Sequence, residues 1–249
     1  MAMKNVPFIG LILSTAVLFA ACMKEEPERR EEIVIGEYGG MKLQHHDTIL
    51  SGGYNQKAGY TIDIDLDGQD DLMLISNIWG SPGMGQHPEA DIVSLDKSLG
   101  IHGIVFQDTT FFYHKIDTFY YSKVEIYIRN RYSCRREHPE DQVNRIRESL
   151  QPTVMKRGER LNRTDVFLSD TTLNLNYGSF GQWRELLSTP DTLIVDEYYA
   201  FYDCHTFPDD EICWVGLRKE TREGIKLGWL KIILNSHYKI SILESALQE

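Results

Sequence analysis

The sequence has few of the residues that mark fibrous or disordered chains. Only 8 of its 249 residues are proline and 19 are glycine, which excludes a collagen-like chain and a low-complexity one. It is also poor in basic residues, with 26 Lys and Arg against 37 Asp and Glu. This balance argues against a general nucleic-acid binder, because neutralising phosphates requires a basic surface. Since 42% of the residues are hydrophobic, the chain can form a sizeable core.

Several catalytic motifs are absent as well. The sequence contains neither the G-x-S-x-G of serine hydrolases nor the H-E-x-x-H of zinc proteases. The glycine-rich segment 80–85 lacks the Gly-Lys-Ser/Thr ending of a phosphate-binding loop, and it predicts a turn. No residue is therefore nominated as catalytic, and we expect a protein that is not an enzyme.

The one long apolar stretch lies at the N-terminus. Lys4 precedes an apolar stretch over residues 6–21, which is shorter than the ~20 residues that a membrane-spanning helix needs. It predicts a secretory signal peptide over residues 1–21. Residues 22–32 are mostly charged and form a flexible stalk by this interpretation, because they cannot bury enough apolar area to fold. Residues 33–249 remain for a single β-rich domain.

The end of the apolar stretch resembles the lipobox of bacterial lipoproteins. Residues 18–22 read Leu-Phe-Ala-Ala-Cys, and residues 23–26, Met-Lys-Glu-Glu, are similar to the signal that sends Bacteroidota lipoproteins to the outer cell surface. The resemblance implies cleavage before Cys22, lipidation of Cys22, and anchoring to the bacterial outer membrane at the cell surface. Two or three acyl chains of this kind hold a protein firmly. The alternative is an ordinary signal peptide that happens to be followed by cysteine.

From residue 32 onward, short runs alternate apolar and polar residues and are rich in Val, Ile, Thr, Tyr and Phe. They predict strands at 32–36, 60–65, 72–76, 101–106, 110–114, 118–128, 166–169, 171–176, 192–202, 212–218, 226–234 and 238–243. Many short strands separated by turn residues favour an all-β fold, an antiparallel β-sandwich or a partly open barrel.

One or two short helices are expected beside the strands. In segment 138–150, Pro139 suits the first helical position, and Val143, Ile146 and Leu150 fall on one helical face. Segment 182–187 is a second candidate for a short helical turn.

The sharpest motif is an acidic loop of the form D-x-D-x-D-G-x-x-D. Calcium takes six to eight oxygen ligands, and such a loop supplies them at alternate residues, with glycine allowing the sharp turn. The candidate ligands are Asp63, Asp65, Asp67, Gln69 through its backbone carbonyl, and Asp71. The twelfth position lacks the Glu of an EF-hand, so the loop is more similar to the calcium loops between strands of extracellular β proteins. An acidic turn without an ion is the alternative interpretation.

The cysteines predict one disulfide bond. After lipidation of Cys22 three cysteines remain, and an exported location permits their oxidation. Cys204 and Cys213 bracket a polar loop between two predicted strands, which makes them the expected pair. Three cysteines allow three pairings, so those that involve Cys134 stay open.

Two further features have both a functional and a structural interpretation. Region 129–163 contains ten Lys and Arg against five acids, as in a docking patch for an acidic partner or in a surface paired with the protein's own acids. Aromatic clusters at 111–113, 119–121 and 198–202 suit packing within the sheets, or a sugar-stacking row if one set is exposed.

Together the lipobox, the acidic loop and the closing segment Gly-Trp-Leu-Lys at 228–231 resemble a set of Bacteroidota surface lipoproteins that has no established activity. The resemblance implies an exported β protein. Our first hypothesis is a non-enzymatic lipoprotein of the cell envelope, stabilised by calcium, with a binding or structural role and a glycan or an envelope protein as its partner. The alternatives are a calcium-dependent glycan-binding module and a secreted hydrolase.

Overall fold

The alternating pattern of the sequence forms strands throughout the described residues, which are 31–81, 85–203 and 207–249 of a computed structural model. The all-β prediction is confirmed, with curled sheets that combine a half-barrel and sandwich-like packing. The strands are β1 (Glu32–Val34), β2 (Met41–Leu50), β3 (Ala58–Ile62), β4 (Leu72–Ser81), β5 (Gly85–Ser94), β6 (Leu99–Tyr120), β7 (Val124–Ser133), β8 (Gln142–Pro152), β9 (Val154–Met155), β10 (Arg160–Asn162), β11 (Phe167–Leu168), β12 (Thr172–Ser188), β13 (Thr192–Asp203), β14 (Ile212–Thr221), β15 (Gly224–Asn235) and β16 (Lys239–Gln248).

Most strands belong to one sheet, in the order β2-β16-β15-β14-β6-β7-β13-β12-β5-β4-β3. Strand β6 joins its two halves, because its 22 residues are enough to pair with different partners along their length. Its first residues pair with β14, its middle with β8, and its last ten with β7. Neighbouring strands are antiparallel except β7 and β13, which are parallel.

The main core lies where the two ends of this sheet curl toward each other. Leu72, Leu74 and Ile92 of β4 and β5 belong to the same buried cluster as Leu230 and Ile232 of β15, although these strands are far apart in the sheet order. Burial of each such side chain stabilises the fold by about 1.5–3 kcal/mol. Alternate residues of β5 point away from this core, and they form part of an outer face described below.

A second, smaller core covers the opposite side of β14 and β15. Trp229 is completely buried there with Trp214 in the same cluster, to which the two-stranded sheet of β1 and β10 contributes Ile33 and Leu161. Residues Glu32–Glu249 thus form one compact unit with two hydrophobic clusters. The described residues contain no helix with the length and hydropathy that a membrane crossing requires.

The two predicted helices are wrong. Segment 138–150 lies mainly in β8, where Val143 and Ile146 are 58% and 61% exposed rather than packed as one helical face. Pairing with β6 satisfies the backbone hydrogen bonds of this segment, with Arg145 opposite Thr110. Segment 182–187 is part of β12 and pairs with β13. In both places strand pairing overrides a local helical pattern, with the distant β6 for segment 138–150 and with the next strand of a hairpin for segment 182–187.

The predicted bridge between Cys204 and Cys213 is also wrong. Cys213 is a free thiol on β14, 2% exposed, and its side chain belongs to the main core rather than to the loop before it. Burial, and secondarily the charge of Glu211, raise the pKa of Cys213 to about 11, so its thiol is unreactive at neutral pH. Cys204 lies outside the described residues, as do Cys22 and residues 1–21, for which a signal peptide is predicted.

Candidate functional site

The acidic loop connects β3 to β4, and its own carboxylates shape it. Asp63 accepts hydrogen bonds from the backbone N–H groups of Asp67 and Gly68, at 3.1 and 2.7 Å. Asp67 in turn accepts one from the N–H of Gln69 at 2.9 Å. Leu66 and Gly68 adopt left-handed conformations, with φ of 62° and 93°, and only glycine does so without strain. The predicted turn is therefore real, with Asp63 and Asp67 as its internal caps.

Three of the five predicted ligands come together. Asp63, Asp65 and Asp71 each offer one carboxylate oxygen within 4.8 Å of the others, which is a spacing that a metal ion could bridge. Asp67 and Gln69 are exposed and stand outside this group.

A lysine that the motif does not contain already supplies positive charge here. Lys219 of β14 is 4% exposed, and its ammonium group donates a hydrogen bond to Asp71 Oδ1. It donates another to Asp96 Oδ2, at 2.5 Å, and lies 3.8 Å from Asp65 Oδ2. The other oxygen of Asp71 accepts the N–H of Ile64 at 2.8 Å. Asp71 is thus fully engaged within the protein.

The charge states follow from burial and from these contacts. Burial raises the pKa of Asp71, although its hydrogen bond with Lys219 opposes the shift. The hydrogen bonds from Lys219 and Ser98 lower the pKa of Asp96 to about 2. Burial works to lower the pKa of Lys219, but the bonds with Asp71 and Asp96 outweigh it and raise that pKa. A calcium ion at Asp63 and Asp65 would be repelled by this ammonium, so calcium binding stays a prediction and we expect it to be weak.

A second cluster lies on the outer face of the sheet formed by β3, β4, β5 and β12. Ala90 and Ile92 of β5 point into the core, so the alternate residues Glu89 and Asp91 point outward. Asp91 is only 5% exposed, and it stands opposite Asn174 of β12. The Asn174 amide donates a hydrogen bond to Asp91 Oδ1 at 2.6 Å.

Glu89 and Asp91 form a close carboxyl pair. Burial raises the pKa of Asp91 to about 7, and the charge of Glu89 and a hydrogen bond with it act in the same direction. Two carboxylates in contact repel each other when both are charged, so the pair retains one proton to higher pH than a single carboxyl would. Asp91 is therefore a hydrogen-bond donor in mildly acidic solution.

An exposed tryptophan lies beside this pair. The Trp79 side chain is 54% exposed, and its indole N–H donates to Glu89 Oε2 at 2.7 Å, which fixes the orientation of the ring. The buried Asn77 amide donates to the same oxygen at 3.4 Å, and Asn77 Oδ1 has no hydrogen-bond partner among the described residues. We call Asn77, Trp79, Glu89, Asp91 and Asn174 the tryptophan–carboxylate face. In the sequence this face is visible only as the alternating pattern of β5 and a tryptophan near the end of β4. Neither signal by itself indicates that the two strands bring these residues together.

Two arginines of the basic region 129–163 are paired with acids of the protein itself. Arg131 pairs with Glu137 at 2.6 Å and with Asp141 at 3.7 Å. Arg129 contacts Asp117 and Glu197 at 3.4 and 3.6 Å. For Arg129 and Arg131 these contacts favour the interpretation of a surface paired with the protein's own acids.

Comparison with known proteins adds no assignment. No protein-family model, no curated protein and no solved structure matches this chain. The function therefore has to be inferred from the two clusters themselves.

Thermal unfolding with and without calcium tests the acidic loop. We expect calcium at about millimolar concentration, the range of weak extracellular sites, to raise the melting temperature of the protein relative to chelator. The variant Asp63→Asn should lose this rise, because it removes one ligand charge. Asp70→Asn, in the same loop but outside the cluster, should keep it. Equal midpoints of the unmodified protein in calcium and in chelator would show that the loop binds no calcium.

The raised pKa of Asp91 makes stability depend on pH. The pKa of Asp91 rises from 3.8 in the unfolded chain to about 7 in the folded protein. The stabilisation that Asp91 contributes to the folded state is therefore fully present below pH 3.8 and is lost as the pH rises through about 7. Asp91→Asn mimics the protonated carboxyl at every pH. We therefore expect its melting temperature to exceed that of the unmodified protein increasingly between about pH 5 and about pH 8. Asp70→Asn is the control, and an equally pH-dependent difference in that variant would refute the assignment.

Proposed function

We propose that this chain is a non-enzymatic, lipid-anchored protein of the cell envelope whose tryptophan–carboxylate face binds a glycan. One observation carries the proposal. An exposed indole ring is held by Glu89 beside a buried carboxyl pair, and Asn77 contributes an amide oxygen that is unpartnered among the described residues. Buried polar groups of this kind are normally satisfied, so an unpartnered one beside an exposed ring indicates a site for a ligand.

The chemistry of the face matches a sugar ring. The flat, apolar side of a pyranose packs on an aromatic ring, and its hydroxyl groups donate to carboxylates and both donate to and accept from amides. Glu89 offers a carboxylate acceptor next to the ring of Trp79. Fixing the indole before binding lowers the entropy that is lost on association.

The burial of Asp91 favours binding over hydrolysis. Glycoside hydrolases need room for a sugar carbon or a water molecule between their two carboxyl groups. Here Asp91 is only 5% exposed and its Oδ1 accepts a hydrogen bond from the Asn174 amide, so little room is left for a substrate atom beside it. The secreted hydrolase therefore remains the weaker alternative.

The anchoring part of the proposal rests on the N-terminal sequence. We infer that the mature protein begins at Cys22, carries its lipid there, and is exposed at the surface of the bacterial outer membrane. Fatty acids then fix the protein to the membrane, and the acidic domain is left available to a ligand. Mass spectrometry of the membrane fraction tests this inference. We expect an acylated peptide that begins at Cys22, and an unprocessed, unacylated N-terminus would refute it.

Binding to a glycan array, followed by titration of the best glycan, tests the face itself. We expect Trp79→Ala to weaken binding by about tenfold, the equivalent of about 1.4 kcal/mol, because the stacking ring is lost. Tyr120→Ala is the control, since Tyr120 is 80% exposed and lies at the far end of β6. We expect that variant to bind as the unmodified protein does. Absence of glycan binding, or unchanged binding by Trp79→Ala, would contradict the proposal.

A further inference from the structure

The last part of β6 has an open edge. Phe111 and Phe112 pair with β7 and with β8 at the same time, so these two strands lie on opposite sides of β6. Strand β8 begins at Gln142, opposite Phe112, whereas β7 follows β6 as far as Tyr120. Among the described residues, no strand and no other backbone hydrogen bond occupies the β8 side of residues 113–120. The backbone N–H and C=O groups on that side are therefore available to a further strand.

Three other edge strands carry features that hinder the addition of a strand. Strand β3 has only 5 residues. Strand β2 contains Asp47 in a left-handed conformation, with φ of 43°, and β8 contains the extra residue Asn144 and ends at Pro152. Short strands, bulges and prolines are the usual protection of exposed edges. Residues 113–120 pair with β7 without a register shift and include no proline and no left-handed residue, so this edge is regular and unprotected.

The open edge also exposes large apolar side chains. Ile116, Phe119 and Tyr120 are 56%, 40% and 80% exposed, and Tyr121 in the turn that follows is 71% exposed. Such a concentration of exposed apolar side chains marks an interaction surface. An open strand edge beside it indicates a partner that pairs as a strand.

We propose that this edge joins two copies of the chain, with β6 of one copy antiparallel to β6 of the second copy and Ile116 on the twofold axis between them. Pairing covers residues 113–119 of each copy, and it stops there because Phe112 is already paired with β8. The same surface thus serves both partners, as in most dimers. The tryptophan–carboxylate face lies on β4, β5 and β12 instead, so the proposal does not depend on glycan binding.

The sequence of the edge is self-complementary in this register. With Ile116 opposite its own counterpart, Lys115 lies opposite Asp117 of the second copy, and this ion pair occurs twice. Tyr113 and Phe119, on the same face of the strand, also lie opposite each other and form an aromatic pair. An axis at Lys115 or at Asp117 would instead place two like charges opposite each other, which is destabilising. The charges therefore select the register that is centred on Ile116.

The charged groups are already held on the edge of a single copy. Lys115 Nζ lies 3.1 Å from Asp117 Oδ1 of its own strand, and Arg129 Nη1 lies 3.4 Å from Asp117 Oδ2. The Lys115 and Asp117 side chains are still 47% and 24% exposed, so a second copy can reach both of them. Because these side chains are partly ordered before association, less entropy is lost when the strands pair.

Light scattering of the full chain, purified in detergent, tests the dimer through charge reversal. We expect the unmodified protein to dimerise, and its dissociation constant to rise at least tenfold in Lys115→Glu and in Asp117→Lys. In each variant like charges face each other twice across the axis. An equimolar mixture of the two variants should recover the dimer, because every acid then faces a lysine. Lys97→Glu is the control, since Lys97 is 83% exposed and lies in the turn before β6.

The mixture separates loss of the interface from loss of folding, because only folded variants can recover the dimer together. A monomeric unmodified protein would overturn the proposal. It would also be overturned if both variants dimerised as well as the unmodified protein, or if their mixture stayed monomeric while each variant unfolded cooperatively. Weakened dimerisation of Lys97→Glu would show that net charge, rather than the pairing of Lys115 with Asp117, controls association.

Cysteine cross-linking tests the register directly. Residues directly opposite each other in antiparallel strands have Cβ atoms about 4.5–5.5 Å apart, close to the span of a disulfide bond. Ile116→Cys should therefore give a covalent dimer on oxidation. His114→Cys is the matched control, because the two cysteines would lie on the same face but four residues apart, about 13 Å along the strands. Absence of the covalent dimer in Ile116→Cys, or an equal yield in the two variants, would overturn the proposed register.

Discussion

The buried ammonium of Lys219 is the interaction on which the arrangement of this domain depends. A lysine removed from water requires negative partners, and here Asp71 and Asp96 supply them from two different connections, one between β3 and β4 and the other between β5 and β6. Because Lys219 belongs to β14, one side chain connects both halves of the curled sheet. Backbone hydrogen bonds connect the same two segments, because the carbonyl of Asp71 accepts the N–H groups of Leu95 and Asp96.

The same curl creates the outer face that we propose as a binding site. Once the inward residues of β4 and β5 pack against β15 and β16, their alternate residues must point to the other side of the sheet. Most residues on such a face would be well solvated, but Asp91 is covered by its neighbours, and Trp79 is held by Glu89 rather than packed. The resulting face combines an exposed ring held by Glu89, the buried carboxyl of Asp91, and an amide.

The sequence predicts the local features of this molecule well and the distant pairings poorly. Alternation of Val, Ile, Thr and aromatic residues predicts the all-β class, and Asp67-Gly68 predicts a turn that the structure contains. The segment 138–150 has a helical pattern, yet it forms β8 because β6 offers it a partner, and local periodicity carries no information about that partner. The spacing of Cys213 from Cys204 predicts a disulfide, whereas the position of Cys213 on β14 directs its side chain into the core.

The candidate sites show the same difference between residues that are close in sequence and residues that are distant in sequence. Asp63, Asp65 and Asp71 could be named from a motif because their geometry is set within nine residues. Lys219 could not be named, because it meets Asp71 and Asp96 across 148 and 123 residues of sequence. Asn174 likewise reaches Asp91 from 83 residues away. Residues that strand pairing brings together from distant parts of the chain can be identified as neighbours only when the order of the strands is known.

A double-mutant cycle at Lys219 and Asp71 tests the central claim most directly. The free energy of unfolding would be measured in urea for Lys219→Met, for Asp71→Leu and for the double variant. If the buried pair joins the two halves of the sheet, each single change should cost about 3–5 kcal/mol, because Lys219→Met leaves Asp71 without its cation and Asp71→Leu leaves Lys219 with only the less buried Asp96 and Asp65, and the double change should cost much less than the sum. Additive losses, or single losses below about 1 kcal/mol, would contradict this account.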